Sequence, residues 1–178
     1  DNTYIDKMTG GMEKCLSNIE NIVDKHLQNN KFVVSLGGEH TLTLPIVRAF
    51  NKHFDDISVL HLDAHTDFRD SYECHNLCHC TFLRKIWEEI TPNFLSFGIR
   101  AVSKEEILFI KENNIGNIHI YDGYKKMDDY LELCKKLSEY VYVTIDTDFF
   151  DPSVIPHVGT PEPGGVFWYD FIHFFKKL

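Results

Sequence analysis

Short runs rich in β-branched and aromatic residues alternate along the chain with stretches whose apolar side chains recur at helical spacing. The runs 32–36, 57–62, 93–97, 117–121 and 140–145 predict five strands. The stretches 42–54, 81–90, 104–113 and 127–137 predict helices between them, with a first helix over about 11–27 and a last one opening near Trp168. Strands that alternate with helices form a mostly parallel sheet covered by helices, so the expected fold class is α/β. Pro and Gly concentrated in 151–165 predict an irregular loop there. By the same alternation the helical stretch 168–178 should lead into another strand, so the sequence reads as part of a longer protein.

The 178 residues fit a single domain, against the usual ~100 to 200 per domain, and 43% hydrophobic residues suffice for a core. Charge narrows the choice of partner. Acidic residues outnumber basic ones 27 to 18, for a formal net charge of −9. Nucleic acid and anionic membranes both call for a basic surface, so neither is expected as a partner, and a small cationic molecule fits better. No apolar run approaches the ~20 residues that span a bilayer. The opening Asp1-Asn2-Thr3-Tyr4 lacks the layout of a signal peptide, so a cytoplasmic location is expected. Cysteines number five, with Cys74, Cys78 and Cys80 crowded together and Cys15 and Cys134 apart, which predicts reduced thiols.

Three motifs stand at predicted strand ends. Asp63-Ala64-His65-Thr66-Asp67 follows the strand ending at Leu62, and in extended backbone the alternate residues Asp63, His65 and Asp67 share one face. Asp146-Thr147-Asp148 follows the run ending at Ile145. Gly37-Gly38-Glu39-His40 follows the run ending at Leu36, with glycines that permit a tight turn. Each has a plainer reading as a loop, since Asp and Gly favour turns. Together they bring four aspartates and two histidines to one edge of the sheet, the edge where open α/β sheets bind ligands. Such a set repels itself unless cations compensate it. Two divalent ions would balance four carboxylates, and oxygen ligands mixed with imidazole suit Mn²⁺, with Zn²⁺, Co²⁺ and Fe²⁺ as competitors. Two such ions can share a bridging hydroxide.

These motifs resemble those of the ureohydrolase family, which contains arginases, agmatinases and formiminoglutamases. The family's ordered patterns correspond here to Gly37-Gly38-Glu39-His40, Asp63-Ala64-His65-Thr66-Asp67 and Thr144-Ile145-Asp146-Thr147-Asp148-Phe149-Phe150-Asp151-Pro152. The resemblance implies a three-layer α/β/α fold. It also implies one metal held by His40, Asp63, Asp67 and Asp146, and a second held by Asp63, His65, Asp146 and Asp148. His79, in Cys78-His79-Cys80, matches the family's proton-shuttling histidine, and Asp148 would take a proton from the bridging water. Gly159-Thr160-Pro161-Glu162-Pro163-Gly164-Gly165, Gly98-Ile99-Arg100 and Glu39 are similar to agmatinase versions of their segments. His157-Val158 departs from the family's usual Gly-Thr, and the family's additional terminal segments are not visible.

What the resemblance implies is hydrolysis of agmatine to putrescine and urea on a binuclear Mn²⁺ centre, in a homo-oligomer of three or six chains. Arginase, or a ureohydrolase of another guanidino acid, is the second reading. A binuclear phosphoesterase would require anion-binding groups, for which Arg69 and Arg100 are the candidates near the motifs. A truncated, non-catalytic relative acting as an assembly module is the remaining alternative, as is a Cys/His zinc cluster formed from Cys74, His75, Cys78, His79 and Cys80.

Overall fold

The computed structural model describes residue 3, residues 11–121, residue 123 and residues 127–178. Within them four parallel strands form one sheet: β1 (Ile57–Leu62), β2 (Phe94–Ile99), β3 (Ile118–Ile120) and β4 (Tyr140–Ile145), in the spatial order β3-β2-β1-β4. Val59 pairs with Phe94 on one side of β1 and with Tyr142 on the other. Every residue of β1 and β2 is buried, the mark of strands covered on both faces.

Side-chain alternation assigns the two faces. Leu60 and Leu62 of β1, with Leu95 and Phe97 of β2, pack against Met127 and Tyr130 of α5 (Met127–Cys134) and Phe171 and Phe174 of α6 (Trp168–Phe175). The intervening positions Val59 and Phe94 pack against Leu44 and Val47 of α2 (Thr43–Asn51) and Phe82, Leu83 and Ile86 of α3 (Phe82–Glu89). Phe109 and Ile110 of α4 (Lys104–Glu112) join this second layer. The long helix α1 (Met12–Gln28) lies outside α2, with Val23 and Leu27 against Ile46 and Ala49. The result is the expected three-layer α/β/α architecture. Trp87 packs on Phe68 with ring centres 5.9 Å apart, and Trp168 on Phe150 at 5.7 Å. No helix among the described residues is long and apolar enough to cross a membrane.

One expected strand does not form. Residues 32–36 pair with no strand, and Phe32 and Leu36 are 94% and 96% exposed while Val33 packs beside α1 and α2. Alternating apolar residues favour an extended backbone, but a strand exists only where a neighbour completes its hydrogen-bond ladder. Among the described residues β4 is one of the two edge strands of the sheet, and nothing pairs with its outer side.

Two local devices shape the edge that carries the motifs. Gly98, at φ +97°, interrupts the β2–β3 register, and a Cβ there would strike the Phe149 ring and stand 2.7 Å from the Asp63 carbonyl. Ser103 and Glu106 form a capping box at the start of α4. The buried Glu106 carboxylate also accepts from the Thr66 hydroxyl at 2.5 Å and the Phe68 amide at 3.0 Å, which fixes the loop just after β1.

Candidate metal centre

Backbone pairing continues past the ends of the strands and sets the register of the motifs. The Asp63 amide donates to Phe97 and the Asp146 amide to Leu62, so the two acidic motifs leave adjacent strands at the same level. Asp146 then caps a single 3-10 turn over Thr147–Phe149 by accepting from the Asp148 amide at 3.0 Å. Asp148 in turn accepts from the Ala64 amide at 3.1 Å, tying the second motif to the first. His40 opens another 3-10 turn just ahead of α2, and its Nε2 lies 2.9 Å from the Thr144 hydroxyl of β4.

All six residues expected at the centre are brought together. His40 Nδ1 lies 3.0 Å from Asp63 Oδ2, 3.4 Å from Asp67 Oδ2 and 3.2 Å from Asp146 Oδ2. His65 Nδ1 lies 3.1 Å from Asp148 Oδ2 and 3.5 Å from Asp63 Oδ1. Asp63, almost wholly buried, thus turns one oxygen toward each histidine. Asp67 holds the left-handed conformation at φ +49°, uncommon for a non-glycine residue and frequent where function over-determines the backbone. His79 stands apart from this cluster, half exposed, with its Nδ1 3.6 Å from Glu39 Oε1, the residue directly before His40.

The charges are poorly balanced by the protein alone. Burial and the neighbouring Asp63 charge push Asp67 up to about 8. Burial, with Asp63 and Asp146 close by, also raises Asp148 against the pull of His65. Contacts with Asp148 and Asp63 raise His65 to about 10. Burial opposes a charge on His40, yet Asp146, Asp63 and Asp67 outweigh it and hold the imidazole well above its ordinary range. These carboxylates are near enough to act on His40, but none is aligned to make a hydrogen bond with its buried Nδ1. A buried nitrogen without a hydrogen-bond partner, facing three carboxylate oxygens, is an arrangement that a divalent cation would satisfy. Two sets of donor atoms lie within 4.8 Å of one another: His40, His61, Asp63 and Asp67; and Asp63, His65 and Asp148. Asp146 approaches His40 but joins neither set, and His61, not expected as a ligand, joins the first. The donor set therefore fits two divalent ions sharing Asp63.

The rival chemistries fare worse. The Arg100 guanidinium donates to the carbonyls of Asp148 at 2.6 Å, Glu162 at 2.8 Å, Gly98 at 3.0 Å and Pro163 at 3.2 Å, so it is committed to backbone and does not serve as an anion binder. Arg69 lies over the Tyr72 ring and 3.8 Å from Glu106. Cys78 and Cys80 have sulfurs 3.5 Å apart, but among the described residues no cysteine joins a group of three metal-donor side chains. No disulfide joins any of the five cysteines in the structure.

Two contributions escaped the motif reading: the clamp made by Arg100, which the sequence offers only as a candidate anion binder, and the place of His61. Arg100 acts on carbonyl oxygens, which every residue carries, so no pattern advertises its targets. His61 is wholly buried beside Asp63. The alternation that unites positions 63, 65 and 67 extends back to 61 and could have revealed it.

A sequence profile described as "Arginase family" matches residues 3–178. The chain is 42% identical over 158 residues to an agmatinase of Bacillus cereus, covering 88% of this chain and 53% of the relative. It is 38% identical to an N(1)-aminopropylagmatine ureohydrolase of Synechocystis, covering 85% and 50%. Among solved structures, the agmatine ureohydrolase of Thermoplasma volcanium superposes with a TM-score of 0.82 at 30% identity, over 93% of this chain and 56% of that one. The chain spans about half the length of the curated relatives it matches.

Proposed function

This chain belongs to the arginase family, and we propose that it carries the binuclear metal centre of a ureohydrolase that converts agmatine and water to putrescine and urea. The observation that carries the reading is Asp63, whose two carboxylate oxygens face His40 on one side and His65 on the other. In this reading His40, Asp63, Asp67 and Asp146 hold one Mn²⁺, and Asp63, His65, Asp146 and Asp148 hold the other. The residues 1–178 are taken as part of one catalytic domain. When bound, the ion pair would supply a hydroxide-like water at neutral pH as the nucleophile for the electrophilic guanidinium carbon.

The remaining steps belong to side chains. Asp148, its carboxylate also accepting from the Thr160 hydroxyl at 3.2 Å, takes the proton released as water adds. His79, half exposed, delivers a proton to the departing amine, with the Glu39 carboxylate 3.6 Å from its Nδ1. Glu39 and Glu162 add negative charge around the cluster, which suits a cationic substrate and opposes an anionic one. The choice of agmatine over arginine rests on the relatives named above, and assembly into a trimer or hexamer rests on family membership alone.

The test is to load the purified protein with Mn²⁺, remove the excess, count bound ions and measure urea released from agmatine and from arginine. Release from agmatine with two ions per chain supports the proposal. Release from arginine alone replaces agmatinase by arginase, and a protein that binds no divalent ion overturns the metal centre itself.

A further inference from the structure

His61 is 0% exposed, in the middle of the sheet, and its ring lies within reach of His40, Asp63 and Asp67, yet it is not among the six ligands of the reading above. A buried imidazole in a parallel sheet costs stability unless both ring nitrogens have partners. Both do: Nδ1 lies 2.8 Å from Ser96 Oγ on β2, and Nε2 lies 3.0 Å from Asp63 Oδ2. A carboxylate only accepts, so Nε2 must carry the hydrogen, and Nδ1 of the neutral ring then accepts from the Ser96 hydroxyl. The pairing His61↔Ser96 in the β1–β2 register places the two side chains side by side, and the Phe82 ring, centred 5.6 Å from the imidazole, closes off that side.

Resting on the metal-centre reading above, we propose that Ser96 and His61 form a relay that positions the Asp63 carboxylate for two metal ions, with His61 acting through Asp63 and not as a metal ligand. The geometry explains how one carboxylate can face both His40 and His65. Its Oδ2 is held by His61 Nε2 and its Oδ1 accepts from the His65 amide at 2.6 Å, so the plane of the group is fixed from both ends. Ser96 fixes the tautomer, since its hydroxyl donates to the nitrogen that must stay bare. Partners that orient metal ligands in this way are typically worth about 10- to 100-fold in metal affinity.

The variants separate positioning from bulk stability. The amide nitrogen of Gln can reach the place of Nε2, whereas that of Asn falls near Nδ1 and meets Ser96 only. Mn²⁺ dissociation constants measured by chelator competition should therefore stay within about threefold of wild type in H61Q. They should weaken about 10- to 100-fold at both ions together in H61N, and several-fold in S96A. Thermal unfolding of the metal-free proteins serves as the control: a merely structural role would lower stability without distinguishing Gln from Asn in affinity. If H61N does not fold, the H61Q and S96A measurements decide, with unchanged affinity in S96A overturning the relay. Two ions bound by wild type and equally tightly by H61N would overturn this inference alone. Loss of one ion with the other unaffected would make His61 a ligand and overturn it as well. No binding by wild type would remove the metal-centre reading and this inference together.

Discussion

Arg100 Nη2 donates to the backbone carbonyl of Asp148 at 2.6 Å. The same guanidinium holds Glu162 and Pro163, so one side chain ties the turn bearing Asp148 to the loop that closes over it. Lysine keeps the charge but not the planar fork of donors. R100K should lower stability by about 2 kcal/mol and turnover by about tenfold or more, with the substrate concentration at half-maximal rate shifted less. Denaturant unfolding and steady-state kinetics measure the two effects. Unchanged turnover would show that the turn holds its shape without the clamp.

Asp146 lies 3.2 Å from His40 and is assigned to both ions, whereas Asp67 is assigned to one. D146N should weaken both ions and D67N chiefly one, while H79N should leave both bound and slow the reaction. Metal counting by mass spectrometry beside urea release separates the three. Two tightly held ions in D146N would show that the assignment of Asp146 is wrong.

The protonation state of the centre predicts a pH dependence of definite sign. Asp67 is raised to about 8 and His65 to about 10, so both hold protons more tightly in the folded than in the unfolded chain. Stability supplied by such groups is present at low pH and is lost as pH rises through the folded values. For the metal-free protein both contributions fall together between about pH 6.5 and 8, the span over which the unfolded His is losing its proton and the folded Asp67 is about to lose its own. The melting temperature should drop over that interval, and saturating Mn²⁺ should remove the drop, because ions displace the protons. A metal-free melting temperature that rises from pH 6.5 to 8 would contradict the charge arrangement.

Gly98 leaves no room for a side chain, since a Cβ there would strike the Phe149 ring and the Asp63 carbonyl, and φ is +97°. G98A should cost about 3 kcal/mol, from backbone strain and overpacking together. Because its neighbours are the first residue of one motif and the turn of another, metal affinity should fall with stability. Chemical denaturation and metal titration on the same preparation test the link.

Much of this was legible from local pattern. Strands β1 and β4, the motifs at their ends and the convergence of His40, Asp63, His65, Asp67, Asp146 and Asp148 follow from alternation and from the rule that ligands gather at carboxyl strand ends. The segment 32–36 shows where such reading fails. Its composition favours an extended backbone, but a strand is a relation between two segments, and sequence pattern carries only one of them. Arg100 fails for a related reason, since its partners are carbonyls that look alike in every residue. His61 was missed because a histidine inside an apolar strand reads as core until Ser96 is found opposite it.

The chain has two tryptophans, and each sits beside a different half of the centre. Trp87 leans on Phe68, the residue after Asp67, and Trp168 on Phe150, two residues beyond Asp148. Trp87 is mostly enclosed and Trp168 is about half open to solvent, so their emission should differ in colour. W87F and W168F would then leave one optical probe on each half, so that filling of the two halves could be followed separately during a titration without any attached label.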